Sequence, residues 1–369
     1  NGTSENTICA QWDKIFSVKG TNIRQHIKNF EIAKENGTTL SCNDISDDIL
    51  YWPAQGNPYF EEEYGWQLPD QTLAGYVDID NNGYYDPCFG DFPMLYMDGC
   101  DYDKFIPTEI NYFVFNDNGG PQRLSGPRSI QMEMHVNAFA YSTNDELNDM
   151  TFYEYKMTNK ANEDLIDCYF AWWVDPDLGC YNDDYLGCDP DLGMAYIYNE
   201  DALDGFENGC QGVSTYGENI PIIGIDFFRG PSVTKVFKTD ANGHFILDAN
   251  GRKILMNPTP GSGQQDTLVE GGMSSFTFTY NQGGNIPDTG DPQRGREGGF
   301  YNLLRGMWTS GVPMTYGGDG FNPLSLDTVK YLYPDDPDDP NGWSMCTAKE
   351  PFADRKFIMS VGPMLMQTG

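Results

Sequence analysis

Along most of this chain apolar positions alternate with polar ones instead of recurring every three or four residues. Residues 129–141 alternate with period two through Ile130, Met132, Met134, Val136 and Ala138, the pattern of a strand with one buried face. Residues 150–158 and 168–174 continue it, with Asn159-Lys160-Ala161-Asn162 as the turn between them. Ile110-Asn111-Tyr112-Phe113-Val114-Phe115 runs into the turn formers Asn116-Asp117-Asn118-Gly119-Gly120. Further strands are expected at 222–228 and 275–280, the second followed by a Gly-rich loop over 281–299. Asn242-Gly243 and Asn250-Gly251 mark hairpin turns inside 235–255, because Asn and Gly tolerate the positive φ of tight primed turns. Helical spacing is expected only near the start, at Trp12, Ile15, Phe16, Ile23, Ile27 and Phe30.

The pattern therefore predicts a mainly β fold: an antiparallel β-sandwich with long acidic calcium-type loops and a short helical N-terminal segment. Two regions are expected. Residues 1–103 are strand-poor and hold the helix and one calcium-type loop, and residues 104–369 form the sandwich with a hairpin insertion over 235–255.

Charge narrows the partners. The 369 residues carry 55 Asp+Glu against 22 Lys+Arg, a formal charge of −33. Such a surface repels polyanions, so neither nucleic acid nor an anionic membrane is an expected partner. Low mean hydropathy (−0.53) with high charge can signal disorder. However, 7 Trp, 23 Tyr and 22 Phe supply ample material for a folded core. No apolar stretch approaches the roughly 20 residues needed to span a bilayer, so membrane insertion is not expected.

Nine cysteines stand at 9, 42, 88, 100, 168, 180, 188, 210 and 346, none in a CxxC pair, so zinc ribbons and thioredoxin chemistry have no support. Disulfides are expected among Cys9, Cys42, Cys88, Cys100, Cys168, Cys180, Cys188 and Cys210. Cys88 with Cys100 and Cys180 with Cys188 are the local staples that the spacing suggests. The odd count leaves one cysteine over, and Cys346 is the expected one.

The sharpest motif is Asp78-Ile79-Asp80-Asn81-Asn82-Gly83-Tyr84-Tyr85-Asp86. It places oxygen ligands Asp78, Asp80 and Asn82 at positions one, three and five of a calcium loop, Gly83 at the sharp turn, the Tyr84 carbonyl at seven and Asp86 at nine. Phe89 stands where a bidentate Glu belongs, and Asp91 can reach in only from a loop of different shape. A second acidic cluster, Asp175, Asp177, Asp183, Asp184 and Asp189, follows an apolar strand and needs a hard cation or solvent to screen it. One to three Ca²⁺ ions are expected. Asp98, Asp101 and Asp103 are weaker candidates, and 335–339 reads as an exposed acidic turn.

No catalytic residue is assigned, and the chain is read as non-enzymatic. His26, His135 and His244 sit on ordinary helix, strand and turn positions, and no GxSxG, HExxH or phosphate-binding loop is present. The aromatic segments Tyr51-Trp52, Tyr59-Phe60, Tyr64-Gly65-Trp66 and Trp172-Trp173 suit either a core or a glycan-stacking face.

Tyr51-Trp52-Pro53-Ala54-Gln55-Gly56-Asn57-Pro58-Tyr59-Phe60, the 78–86 loop with Gly90-Asp91-Phe92-Pro93, Asn116-Asp117-Asn118-Gly119-Gly120 and residues 138–156, 173–189, 224–231, 301–318 and 354–363 are long phrases. They resemble large surface proteins of Bacteroidota exported by the type IX secretion system. The resemblance implies an extracellular or outer cell-surface location, oxidising surroundings, available calcium and membership in a longer polypeptide with a C-terminal sorting domain. It also implies O-glycosylation candidates at Thr267 and Thr328, each after an Asp and before an apolar residue. The expected function is a structural or adhesive module stabilised by calcium and disulfides, whose partners are other surface proteins or glycans. The alternatives are a carbohydrate-binding or glycoside-active protein, and a self-associating filament subunit.

Overall fold

The computed structural model describes residues 6–95, 105–120, 128–205, 210, 212–237, 255–256, 267–280 and 299–368. Strands predominate and every named ladder is antiparallel, so the mainly β expectation holds. The described residues fall into two compact units, one of 6–120, 128–162 and 368, the other of 163–367.

The first unit contains α1 (Asn6–Trp12), β1 (Phe16–Lys19), α2 (Gly20–Glu35), α3 (Asp47–Leu50), α4 (Phe60–Tyr64), β2 (Tyr76–Val77), β3 (Phe92–Pro93), β4 (Glu109–Asn116), β5 (Met132–Ala140) and β6 (Thr151–Asn159). A four-stranded sheet runs β1-β4-β5-β6. The short helical turns expected near the N-terminus appear as α1 and α2, with β1 between them. Phe16 and Val18 are buried while Ser17 and Lys19 are exposed, a period of two that docks this segment on β4, Phe16 opposite Tyr112. Because β1 pairs with β4, strands β4–β6 belong with the N-terminal residues, and the division falls near 162; the boundary expected near Asp103 lies outside the described residues. The core joins Phe16, Val18 and Ile23 to Trp52, Phe60, Tyr85, Phe92, Ile110 and Tyr112.

The second unit contains β7 (Leu165–Val174), β8 (Asp184–Asp189), β9 (Met194–Asn199), β10 (Ile223–Asp226), β11 (Ser232–Phe237), β12 (Leu255–Met256), β13 (Thr267–Glu270), β14 (Ser275–Tyr280), α5 (Gly299–Leu304), β15 (Met314–Thr315), β16 (Thr328–Val329), α6 (Met345–Ala348) and β17 (Arg355–Met366). Two of its three-stranded sheets run β14-β17-β7 and β10-β9-β8. One core draws on both: Leu186, Ala195 and Ile197 with Phe276, Phe278, Phe357 and Met359. Of the hairpin insertion, β11 and β12 pair antiparallel at its ends, and both Asn-Gly turns lie outside the described residues.

A buried polar knot ties this second core together. Glu350 accepts hydroxyl donors from Tyr280 (2.9 Å) and Tyr333 (2.8 Å). Arg355, 2% exposed, lies against the Tyr185 and Tyr280 rings and donates to the carbonyls of Asp184, Ala353 and Pro351. Buried charge is tolerated where hydrogen bonds replace water.

Among the described residues two disulfides form, and neither is a local staple. Cys42 pairs with Cys88 and Cys180 with Cys210. Cys188 points from β8 into the core beside the Leu332 carbonyl, so it cannot meet Cys180, and Cys100 lies outside the described residues. Cys9, Cys168 and Cys188 are free thiols, as is the exposed Cys346.

Candidate metal centre

Strands β2 and β3 close residues 78–91 into a hairpin, with Tyr76 opposite Pro93 and Val77 opposite Phe92. The next residues inward are Asp78 and Asp91, so pairing of two short apolar strands brings two acids face to face. Asp78, Asp80 and Asp91 each place a carboxylate oxygen within 4.8 Å of the others. Asp91 is fully buried.

Backbone amides fix this geometry. Asp91 accepts from Ile79 N–H and Asp86 N–H, both at 2.8 Å. Asp78 accepts from Asn82 N–H (3.1 Å) and Gly83 N–H (2.8 Å), and Asp80 from Asn82 N–H (3.1 Å). The loop bends through left-handed Asn81 (φ 58°) and Gly83 (φ 83°), which explains the Gly at the sixth position. Asn82 spends its side chain inside the loop, accepting from Tyr84 N–H and donating to Asp80. The Tyr84 side chain is exposed. Asp86 keeps a buried carboxylate oxygen with no hydrogen-bond partner.

Electrostatics mark Asp91 as the costly member. Burial pushes its carboxyl up to about 6, against the pull of the Asp86 and Ile79 amides, and Asp78 and Asp80 raise it further. Asp86 is raised by burial as well, held back by the Cys88 amide and pushed up again by Asp80. Among the described residues no Lys, Arg or His makes an ion pair with Asp78, Asp80 or Asp91.

Around the loop, Tyr85 anchors the backbone, its hydroxyl donating to the Ile49 carbonyl (2.7 Å) and its amide to the Gln55 carbonyl (2.9 Å). His26, on α2, donates from Nε2 to the Asp91 carbonyl at 3.0 Å, and burial lowers its pKa.

The second acidic cluster is arranged differently from its sequence reading. Asp175 and Asp177 meet Asp354, which the sequence did not single out. Lys356 already sits 3.0 Å from Asp175. Asp184 and Asp189 occupy opposite ends of β8, about 17 Å apart at 3.4 Å per residue, so they cannot share an ion. Asp183 is buried and is not part of that trio. Asp184 turns inward, accepting from Leu178 N–H (2.8 Å), and burial pushes its carboxyl up to about 7, with Asp183 and Asp177 adding to the rise. Asp204, also missed, is buried against Gly179 and caps the Cys180 amide at 2.8 Å.

Both described histidines are buried, His26 at 4% exposure at the edge of a shallow pocket with Asn22, Asn29 and Asp44. His135 is 5% exposed and Tyr112 1%. His135 Nδ1 lies 2.6 Å from the Tyr112 hydroxyl and Nε2 lies 3.0 Å from Glu133, which is 21% exposed and also pairs with Lys160 at the surface. His244 lies outside the described residues. Among the aromatic segments, Trp52 is 2% exposed and donates to the Gly75 carbonyl, Phe60 and Trp66 pack edge to face, and Trp172 packs on the second core. Trp173 leans on Phe300 at 5.4 Å. Trp52 and Phe60 belong to the first core and Trp172 packs on the second, whereas Trp173 is 38% exposed.

No protein-family model matches the chain, and it has no match among curated proteins or solved structures.

Proposed function

We propose that this chain is a secreted, cell-surface structural or adhesive module whose first unit is held by a Ca²⁺ ion in the 78–91 loop. One observation carries the reading: three carboxylates, one fully buried, converge without a basic partner, while the comparable trio in the second unit has Lys356 beside it. Carboxylates fixed that closely repel unless a cation sits among them. An oxygen-only set suits a hard ion, and Ca²⁺ accepts the irregular, six-to-eight-fold coordination a hairpin offers. Asp78, Asp80 and Asp91 would hold it, with the unpartnered Asp86 oxygen and the Tyr84 carbonyl completing the set.

Two disulfides support oxidising surroundings, as does the type IX resemblance. The second unit is read as the sandwich, since its core draws on two sheets. Calorimetric titration tests the ion: one Ca²⁺ per chain is expected for the native protein and none for Asp78→Asn. A native protein that takes up no Ca²⁺ overturns the reading.

A further inference from the structure

The same hairpin carries a disulfide, and we propose that the two are thermodynamically coupled. Reduction of Cys42–Cys88 weakens cation binding at Asp78, Asp80 and Asp91, and the bound cation in turn protects that disulfide. The inference rests on the calcium reading above.

Position supplies the argument. Cys88 lies on the 3-10 turn Pro87–Phe89, between Asp86 and Asp91 and inside the cation loop. Its amide restrains the Asp86 carboxylate, and Asp86 N–H is one of two donors that hold Asp91. Cys42 belongs to a separate segment that leads into α3, so the bond fastens the loop to the body of the unit. The ring it closes spans 46 residues and includes Tyr85, whose two hydrogen bonds pin the loop from the other side. Opening such a ring returns chain entropy to the segment bearing the ligands. Ion binding must then repay that entropy, and affinity falls.

The disulfide is also reachable. Cys42 is only half-buried, and the Tyr59 hydroxyl, 3.1 Å from Cys88 Sγ, can donate to the sulfur as it gains charge. A dithiol supplies the two electrons: the S–S bond breaks, each sulfur takes a proton, and the dithiol closes to its own cyclic disulfide. Coupling between two binding or chemical equilibria is reciprocal, so cation binding must oppose this step by the factor that reduction weakens binding.

Two measurements test it, both on the whole chain. In calorimetry, Ca²⁺ affinity is expected to fall about ten-fold in Cys42→Ser/Cys88→Ser and to stay unchanged in Cys180→Ser/Cys210→Ser, whose disulfide belongs to the other unit. In a dithiothreitol redox titration of the native protein, read by peptide mapping, Ca²⁺ is expected to shift the half-reduction ratio of Cys42–Cys88 by the same ten-fold. The shift should vanish in Asp78→Asn, and Cys180–Cys210 should not move. The redox arm needs no cysteine variant to fold. Equal Ca²⁺ affinities together with an unshifted redox ratio overturn the coupling and leave the calcium site standing. Absence of Ca²⁺ uptake by the oxidised native protein overturns both.

Discussion

Asp78 and Asp91 occupy the first step beyond the Val77–Phe92 pair of the β2–β3 hairpin, each with a carboxylate oxygen within 4.8 Å of the other. Strand pairing fixes both backbones, so the like charges cannot relax by moving apart. Chelation should therefore lower the melting temperature of the first unit. An ion held at a hundred times its dissociation constant contributes about 2.7 kcal/mol. For a unit of this size that is a fall of roughly 5–10 °C with EDTA. A melt indifferent to EDTA counts against the ion.

Acidity should act on the metal-free protein with an unusual sign. Asp91 titrates near 6 in the folded chain and near 3.9 when unfolded. The folded state thus holds the proton better, and stability is lost as pH rises from about 4 through 6. Melting of the chelated protein should climb between pH 7 and 5, and this slope should flatten in Asp91→Asn. With saturating Ca²⁺ the trend reverses, because protons then compete with the ion.

Lys356 separates the two acidic trios. Its Nζ, 3.0 Å from Asp175, stands where a cation would be attracted. Lys356→Met removes that charge from beside Asp175, Asp177 and Asp354, so calorimetric stoichiometry should rise from one Ca²⁺ to two. Unchanged stoichiometry would show that the second trio is too open to bind.

The knot around Glu350 should be worth more than its exposed counterparts. Glu350→Ala leaves the Tyr280 and Tyr333 hydroxyls without their acceptor in a dry core. Leaving buried donors unpaired costs about 1–3 kcal/mol each, so urea denaturation of the second unit should show a loss of roughly 2–6 kcal/mol. Glu350→Gln, which keeps an acceptor, should lose less.

Strands β4, β5, β6 and β14 were legible because each alternates and ends in turn residues. β1 was not, since Trp12, Ile15 and Phe16 suit a helical spacing and the two-residue period of Phe16 and Val18 lasts only four residues, so pairing with β4 decides. Strands β8 and β17 escaped because both their faces are buried over most of their length, which erases the alternation. In the metal loop, Asp78, Asp80 and Gly83 follow from spacing alone. The position of Asp91 depends on hairpin register, and the company of Asp354 depends on tertiary pairing that no local pattern encodes. Disulfide partners were lost for the same reason: Cys42 and Cys180 bond across the fold, not to the nearest thiol.

Thr368 bridges to Asn159, so the chain leaves the first unit after 162 and comes back to it at its far end. Leu165 and Met366, close to the two ends of the 163–367 segment, are paired neighbours on β7 and β17. The 163–367 segment is thus a detour whose two stems lie side by side. Cutting it out and joining 162 to 368 through a few glycines should leave the first unit folded with its cation loop, and the excised piece would need no new connection to close.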